Sequence, residues 1–206
     1  MRRKTFDMLA TAGGAVLAIV LIAAGSLGMW GYSYANSNVH DQLAAQKITF
    51  PPASAFASAK AGGEITPSMI PSVSQYAGQQ LLTGQQAKVY ADDFIAVHIQ
   101  EIGGGLTYSQ LSSQARALPK GSAAYTAAEA KVQTVFQGTT LRGLLLEAYA
   151  FGTIGQIALV AAIVSFILAG VMMVLTLLGI WHFSRTPEEV EFPKSFHHEE
   201  RVPAGV

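Results

Sequence analysis

Two apolar stretches, residues 8–31 and 154–181, contain no charged side chain. Each exceeds the about 20 residues that an α-helix needs to cross the hydrocarbon core of a bilayer. Together they constrain the chain to an all-α membrane protein: two transmembrane helices forming an antiparallel hairpin, with a mostly helical extracytoplasmic domain between them. The first stretch follows the basic start Arg2-Arg3-Lys4, and no further Lys or Arg occurs before Lys47. Basic residues concentrate on the cytoplasmic side of a span, so the N-terminus is expected in the cytoplasm and the second span returns the C-terminus to it. A cleavable signal peptide is the competing reading, with Ser33-Tyr34-Ala35 as a loose small-residue site. The apolar region of such a peptide runs to only about 7–15 residues, and length favours the anchor.

The resulting division is residues 1–7 as cytoplasmic N-terminus, 8–31 as the first span, 32–153 outside, 154–181 as the second span and 182–206 as a disordered cytoplasmic tail. Trp30, Tyr32 and Tyr34 fall at the outer interface with Tyr149 and Phe151, and Trp181 with Phe183 at the inner one, where amphipathic rings concentrate. The location implied is a bacterial inner membrane, crossed more than once.

Composition removes several function classes. The 13 basic and 13 acidic residues balance, which leaves no electrostatic footprint for nucleic acid. With no cysteine, disulfide staples, thiolate metal sites, lipoprotein anchoring and cysteine catalysis fall together.

Within the outer segment, residues 36–46 continue the first helix until Lys47-Ile-Thr-Phe-Pro51-Pro52 stops it, since proline removes a donor and forces its predecessor into extended geometry. Residues 51–74 have the Ala/Ser/Gly/Pro composition of a loop-rich wrap with little to bury. Helical periodicity is strongest from Gln85 to Ile102 through Ala87, Tyr90, Ala91, Phe94, Val97, His98 and Glu101. Gly103-Gly104-Gly105 ends that helix, and Thr107-Tyr-Ser-Gln110 reads as a capping box for a short helix running to Leu118. A last helix opens near Ser122 and runs into the second span, with Gly138 as its weak point.

Small residues mark where the spans meet: Gly25 and Gly28, beside Ala24, in the first, and Ala158, Ala162, Ser165 and Ala169, beside Ala161 and Gly170, in the second. Spacing of this kind lets helix backbones approach closely.

Reactive candidates are few. His98 and Glu101 lie about 60° apart around one helix, whereas Asp92 and Asp93 project well over 100° from His98. Only a distant His40 can join His98 and Glu101, so the expected role of His98 is a hydrogen bond within a helical bundle, with the two aspartates facing solvent or capping a loop. Arg142 can pair with Asp92, Asp93 or Glu101, or touch lipid headgroups. Tyr90, Asp93, His98, Glu101 and Arg142 are therefore structural or interaction residues, and no catalytic, cofactor or metal site is assigned. Adjacent histidines and acids in His197-His198-Glu199-Glu200 sit in a polar, Pro-containing tail of disordered composition.

The order of segments carries a resemblance. A span is followed by Gln42-Leu-Ala-Ala-Gln-Lys-Ile-Thr-Phe50, then Ala87-Lys-Val-Tyr-Ala-Asp-Asp-Phe-Ile-Ala-Val-His98, then Gly104-Gly-Leu-Thr-Tyr-Ser-Gln-Leu111, then Leu141-Arg-Gly-Leu-Leu-Leu146 before a second span. This resembles a family of uncharacterised two-span membrane proteins of actinobacteria. The resemblance implies topology and bacterial origin. Members often carry the label of aromatic ring-opening dioxygenase, an activity that needs iron held by two histidines and a carboxylate. Only His40 and His98 stand outside the membrane here, so no catalytic residue transfers.

The function expected is a non-catalytic accessory subunit or assembly factor of a larger bacterial membrane complex, respiratory or envelope. Its partners are the lipid bilayer and other membrane subunits or a second copy, not nucleic acid. The alternatives are an extracytoplasmic ligand-binding or sensor module acting through a membrane partner and, more remotely, a membrane-anchored enzyme using His98 and Glu101.

Overall fold

The computed structural model describes residues 3–185. The tail motifs at 186–206 lie outside the described residues. All regular elements are helical: α1 Arg3–Gln46, α2 Ala53–Ala57, a 3₁₀ turn Pro67–Met69, α3 Ile70–Val73, a 3₁₀ turn Ser74–Tyr76, α4 Gly84–Val89, a π-helical turn Tyr90–Ile95, α5 Ala96–Gly103, α6 Tyr108–Arg116 and α7 Ala123–Arg185. They distribute into two compact units, Met1–Leu27 with Ala161–Val206, and Gly28–Val160.

Helices α1 and α7 span 44 and 63 residues, and each is long and apolar enough to cross a membrane. Only 11% of the most apolar stretch of each is buried, which leaves most of that apolar surface uncovered among the described residues. Shielded positions recur every seven residues along α1 at 11, 18, 25, 32 and 39 and at 14, 21, 28 and 35, and along α7 at 155, 162, 169 and 176 and at 158, 165, 172 and 179. Most are Gly, Ala, Ser or Thr, and this is the narrow two-per-heptad seam of a coiled coil cut from small side chains.

In the first unit, a Cβ on Gly25 would stand 2.8 Å from the Phe166 ring, one on Gly14 2.9 Å from Thr176 Oγ1, and one on Gly179 2.6 Å from Thr11 Oγ1. Within the second unit, a Cβ on Gly155 would meet Ala35 Cβ at 3.2 Å, and Gly31 lies opposite Ala158.

The remainder of the second unit is a helical cluster on those rods. α1 ends at Gln46, Lys47 follows in the left-handed region with φ 54, and the segment after it pairs with residues 78–81 through Phe50 N–H to Gln79 O (2.9 Å), Leu81 N–H to Ile48 O (2.9 Å) and an isolated antiparallel bridge between Thr49 and Gln80. That pairing drives Phe50 and Leu81 into a core with Val39, Leu43, Met69, Val73, Ala87 and Leu145. Residues 51–74 depart from the expectation of a wrap with little to bury. Met69 and Val73 are completely buried, and Phe56 and Ile65 nearly so. A few well-placed apolar side chains anchor a segment whose average composition is that of a loop.

The helix expected from Gln85 to Ile102 also differs, because its middle third is a π turn. Its start is fixed by a capping box in which Thr83 Oγ1 accepts from Gln86 N–H (3.2 Å) and Gln86 Oε1 accepts from Thr83 N–H (3.0 Å). Gly104, in the left-handed region with φ 61, closes it. The box at Thr107 and Gln110 opens α6, and a smaller core forms from Leu111, Ala115, Val132 and Val135. Gly138 does not interrupt α7. Its missing side chain makes room for Ile99, whose Cγ1 would lie 2.8 Å from a Cβ at that position.

Candidate functional site

The α4–π–α5 segment carries chemistry on two faces. On one, aromatic rings form a ladder: Tyr76 against Phe50 (5.1 Å between centroids), Phe50 edge-on to Tyr90 (5.2 Å), Tyr90 against Phe94 (4.7 Å) and Phe94 edge-on to His98 (4.6 Å). Such geometries satisfy the ring quadrupoles. Residues four apart in an α-helix drift by about 40° around its axis. The π turn over Tyr90–Ile95, bonded i to i+5, advances less per residue than an α-helix does. Burial raises the Tyr90 hydroxyl above the ordinary tyrosine range, with the Glu64 charge adding to it.

At the ladder's outer end, His98 Nδ1 lies 2.9 Å from the Phe94 carbonyl and Nε2 2.9 Å from the Glu64 carbonyl. Both ring nitrogens are thereby engaged with main chain. Glu101, three residues on, is exposed. His40 sits beside Asp41 at 3.2 Å on an exposed part of α1. Among the described residues, no group of three His, Asp or Glu side chains is placed to share a metal ion.

The other face is ionic. Lys88 Nζ donates to Asp92 Oδ2 (2.7 Å), and Arg142 Nη2 reaches in from α7 to Asp92 Oδ1 (2.8 Å). Lys88 also lies over the Tyr149 ring, 5.6 Å from its centroid. Hydrogen bonds from Lys88 and then Arg142 hold the Asp92 carboxyl below the ordinary aspartate range, while the Asp92 bond raises the Lys88 ammonium. The expectation that both aspartates face solvent or cap a loop is thus corrected for Asp92: it bridges two helices, because a carboxylate between two cations is better satisfied there than in water. Asp93 is half-buried and adds only a small charge effect on Lys88. Of the partners open to Arg142 in the sequence, the fold selects Asp92. Arg142 Nε is buried with no hydrogen-bond partner among the described residues.

This bridge has a pH signature. A depressed folded-state pKa means that the bridge contributes stability above the unfolded aspartate pKa of about 3.9 and loses it as pH falls through the lower folded value. The Asp92→Asn variant is expected to show a smaller loss of thermal midpoint than the parent between neutral pH and about pH 3. Equal acid losses in the two proteins would show that the bridge does not contribute.

Sequence reasoning offered Asp92 to Arg142 as one of three partners but kept Asp93 as the interaction residue and passed over Lys88, whose i, i+4 spacing to Asp92 on one helix was the available signal; nothing local selects Asp92 for Arg142, 50 residues away. Of the small residues expected between spans, Gly25, Ala162 and Ala169 are buried, and Gly28, Ala158 and Ser165 half-buried. Ala24, Ala161 and Gly170 are exposed and lie off the seam. Sequence reasoning missed Thr11, Gly14, Ala18, Gly155, Thr176 and Gly179, which extend the seam at the same seven-residue period.

Two surface features complete the second unit. A groove of about 410 Å³ lies between the end of α1 and α7, with Asn38, Gln42 and Gln46 on one wall and Leu141, Leu144, Leu145 and Phe151 on the other. Beside the smaller core, the Tyr108 and Phe136 rings meet at a tilt, 5.4 Å between centroids, while remaining 43% and 47% exposed. No protein-family model, curated protein sequence or solved structure matches this chain.

Proposed function

We propose that this chain is a non-catalytic subunit or assembly factor of a larger membrane complex, inserted as a helical hairpin with both termini cytoplasmic and residues 32–153 outside. Thr11 beside Gly179, Gly14 beside Thr176 and Gly25 beside Phe166 support spans running in opposite senses. Exposed Ile19, Leu27, Ile157 and Leu177 suit lipid contact, as the stacked and exposed Trp30 and Tyr34 suit an interfacial belt. The bacterial setting rests on the resemblance to two-span actinobacterial proteins alone.

The observation that carries a partner is the Tyr108–Phe136 pair. It lies outside the spans, where lipid cannot cover it, and exposed aromatic side chains over a small core are what protein interfaces bury. A mild-detergent pull-down of the tagged chain from its native membrane, quantified by mass spectrometry against an unrelated two-span protein, is expected to recover a larger assembly stoichiometrically. Phe136→Ala is expected to lower that recovery about tenfold, as loss of a central aromatic contact costs about 1–2 kcal/mol or more. Recovery of this chain alone would sink the proposal.

A second reading, an extracytoplasmic ligand-binding module acting through a membrane partner, draws on the groove. Its carboxamide wall opposite leucines has the mixed character of a small-molecule site. Recovery of the chain alone would move weight to this reading.

A further inference from the structure

His98 meets two main-chain carbonyls, and carbonyl oxygens only accept hydrogen bonds. Neutral imidazole has one N–H; imidazolium has two. Either tautomer of the neutral ring therefore sets a nitrogen lone pair against a carbonyl oxygen at 2.9 Å, whether that of Phe94 or that of Glu64. Both contacts are satisfied together only when the ring carries its second proton.

We propose that His98 is a pH-dependent latch that ties the segment around Glu64 to the α5 helix when protonated and releases it when neutral. The Phe94 carbonyl rides on the same helical segment as the ring, one turn back, and cannot retreat from it. Glu64 sits in a short turn held by Lys60 N–H to Ile65 O (3.0 Å) and Gly63 N–H to Lys60 O (3.1 Å), an exposed tip between the core contacts of Phe56 and Ala59 before it and the buried Ile65 and Thr66 after it. That turn is the part that moves. The ladder fixes the ring's other edge, because the Phe94 ring packs edge-on to it.

The ionisable groups on the elements that meet here are Lys60 and Glu64 on the turn, and Tyr90, Asp93 and Glu101 on the helix, with Lys88 and Asp92 paired on its other face. Of these residue types together with histidine, only histidine ordinarily changes charge between about pH 5 and 8. Tyr90, raised by burial and by Glu64, moves further from that window. The latched state binds the extra proton, so latching is favoured at low pH and lost as pH rises.

The chain has no cysteine, so a single Ala61→Cys change in the full-length protein places one nitroxide label on an exposed position of the turn. The measurement is its continuous-wave spectrum in detergent or lipid discs at about pH 5.5 and pH 7.5. Histidine is the side chain that ordinarily changes charge across that interval. The mobile component is expected to grow severalfold with pH when His98 is present, and to be large and independent of pH in the His98→Ala background. An unchanged spectrum at the two pH values with His98 in place overturns the latch, and that comparison needs no variant at His98. A pH response that persists in His98→Ala also overturns it, by assigning the titration to another group such as His40 or His182.

Discussion

Truncating Phe50 to alanine is expected to lower the unfolding free energy of the 28–160 unit by about 3–5 kcal/mol, the range for removing a fully buried phenylalanine. The side chain is 1% exposed and sits between the Tyr76 and Tyr90 rings. Its backbone is held independently by the hydrogen bond to Gln79. The chain therefore cannot slide inward to fill the void, and the cavity cost adds to the lost transfer energy. Denaturant unfolding followed by near-UV circular dichroism would read the change. A loss below about 1 kcal/mol would mean that neighbouring rings collapse into the space, and the ladder would then not be a rigid element.

The second large effect is expected where α4 starts on the backbone of α7. A Cβ on Gly84 would lie 3.1 Å from the Ala148 carbonyl oxygen and 3.2 Å from Tyr149 Cα. Both are main-chain atoms inside a continuous helix and have no rotamer through which to yield. Gly84→Val should lift the first turn of α4 off α7 at a cost of about 1–3 kcal/mol or more, and pull Lys88 from the Tyr149 ring. The facing glycine behaves differently: a Cβ on Gly152 would meet the Gly84 Cα at 3.5 Å, ordinary contact. Gly152→Ala should be tolerated to within about 1 kcal/mol. Thermal unfolding of the two variants side by side checks the asymmetry, and equal losses would refute the close-packing account.

These sites show which parts of the molecule are legible in its residues. The two long apolar helices, the stop at Lys47–Pro52 and the box at Thr107 are written locally, in runs, prolines and an S/T-x-x-E/Q spacing that has one low-energy meaning. The Thr83–Gln86 box has the same spacing and stands where the strongest periodicity opens at Gln85, so its signal was equally local. Met69 and Val73 were hidden because burial is a property of single side chains while loop composition is an average. The π turn at Tyr90–Ile95 cannot be read locally at all, since α and π bonding differ by one residue of register, and the choice falls to the packing of rings from Phe50 and Tyr76. Asp92 combines both cases. Its Lys88 partner is written four residues before it, and its Arg142 partner exists only once α7 is in place.

The helix starts themselves have a consequence for how the protein responds to its surroundings. Thr83 with Gln86, Thr107 with Gln110, and Ser122, whose Oγ accepts from Tyr125 N–H at 3.0 Å, are all uncharged groups. Acidic N-terminal caps would weaken on protonation, whereas these keep their hydrogen bonds at any pH that titrates histidine or aspartate. Helical content is accordingly expected to stay flat while His98 and Asp92 exchange protons. Release of the Glu64 turn or of the Asp92 bridge is expected to leave the helices finished, so far-UV dichroism would miss a rearrangement that aromatic signals from the ladder report.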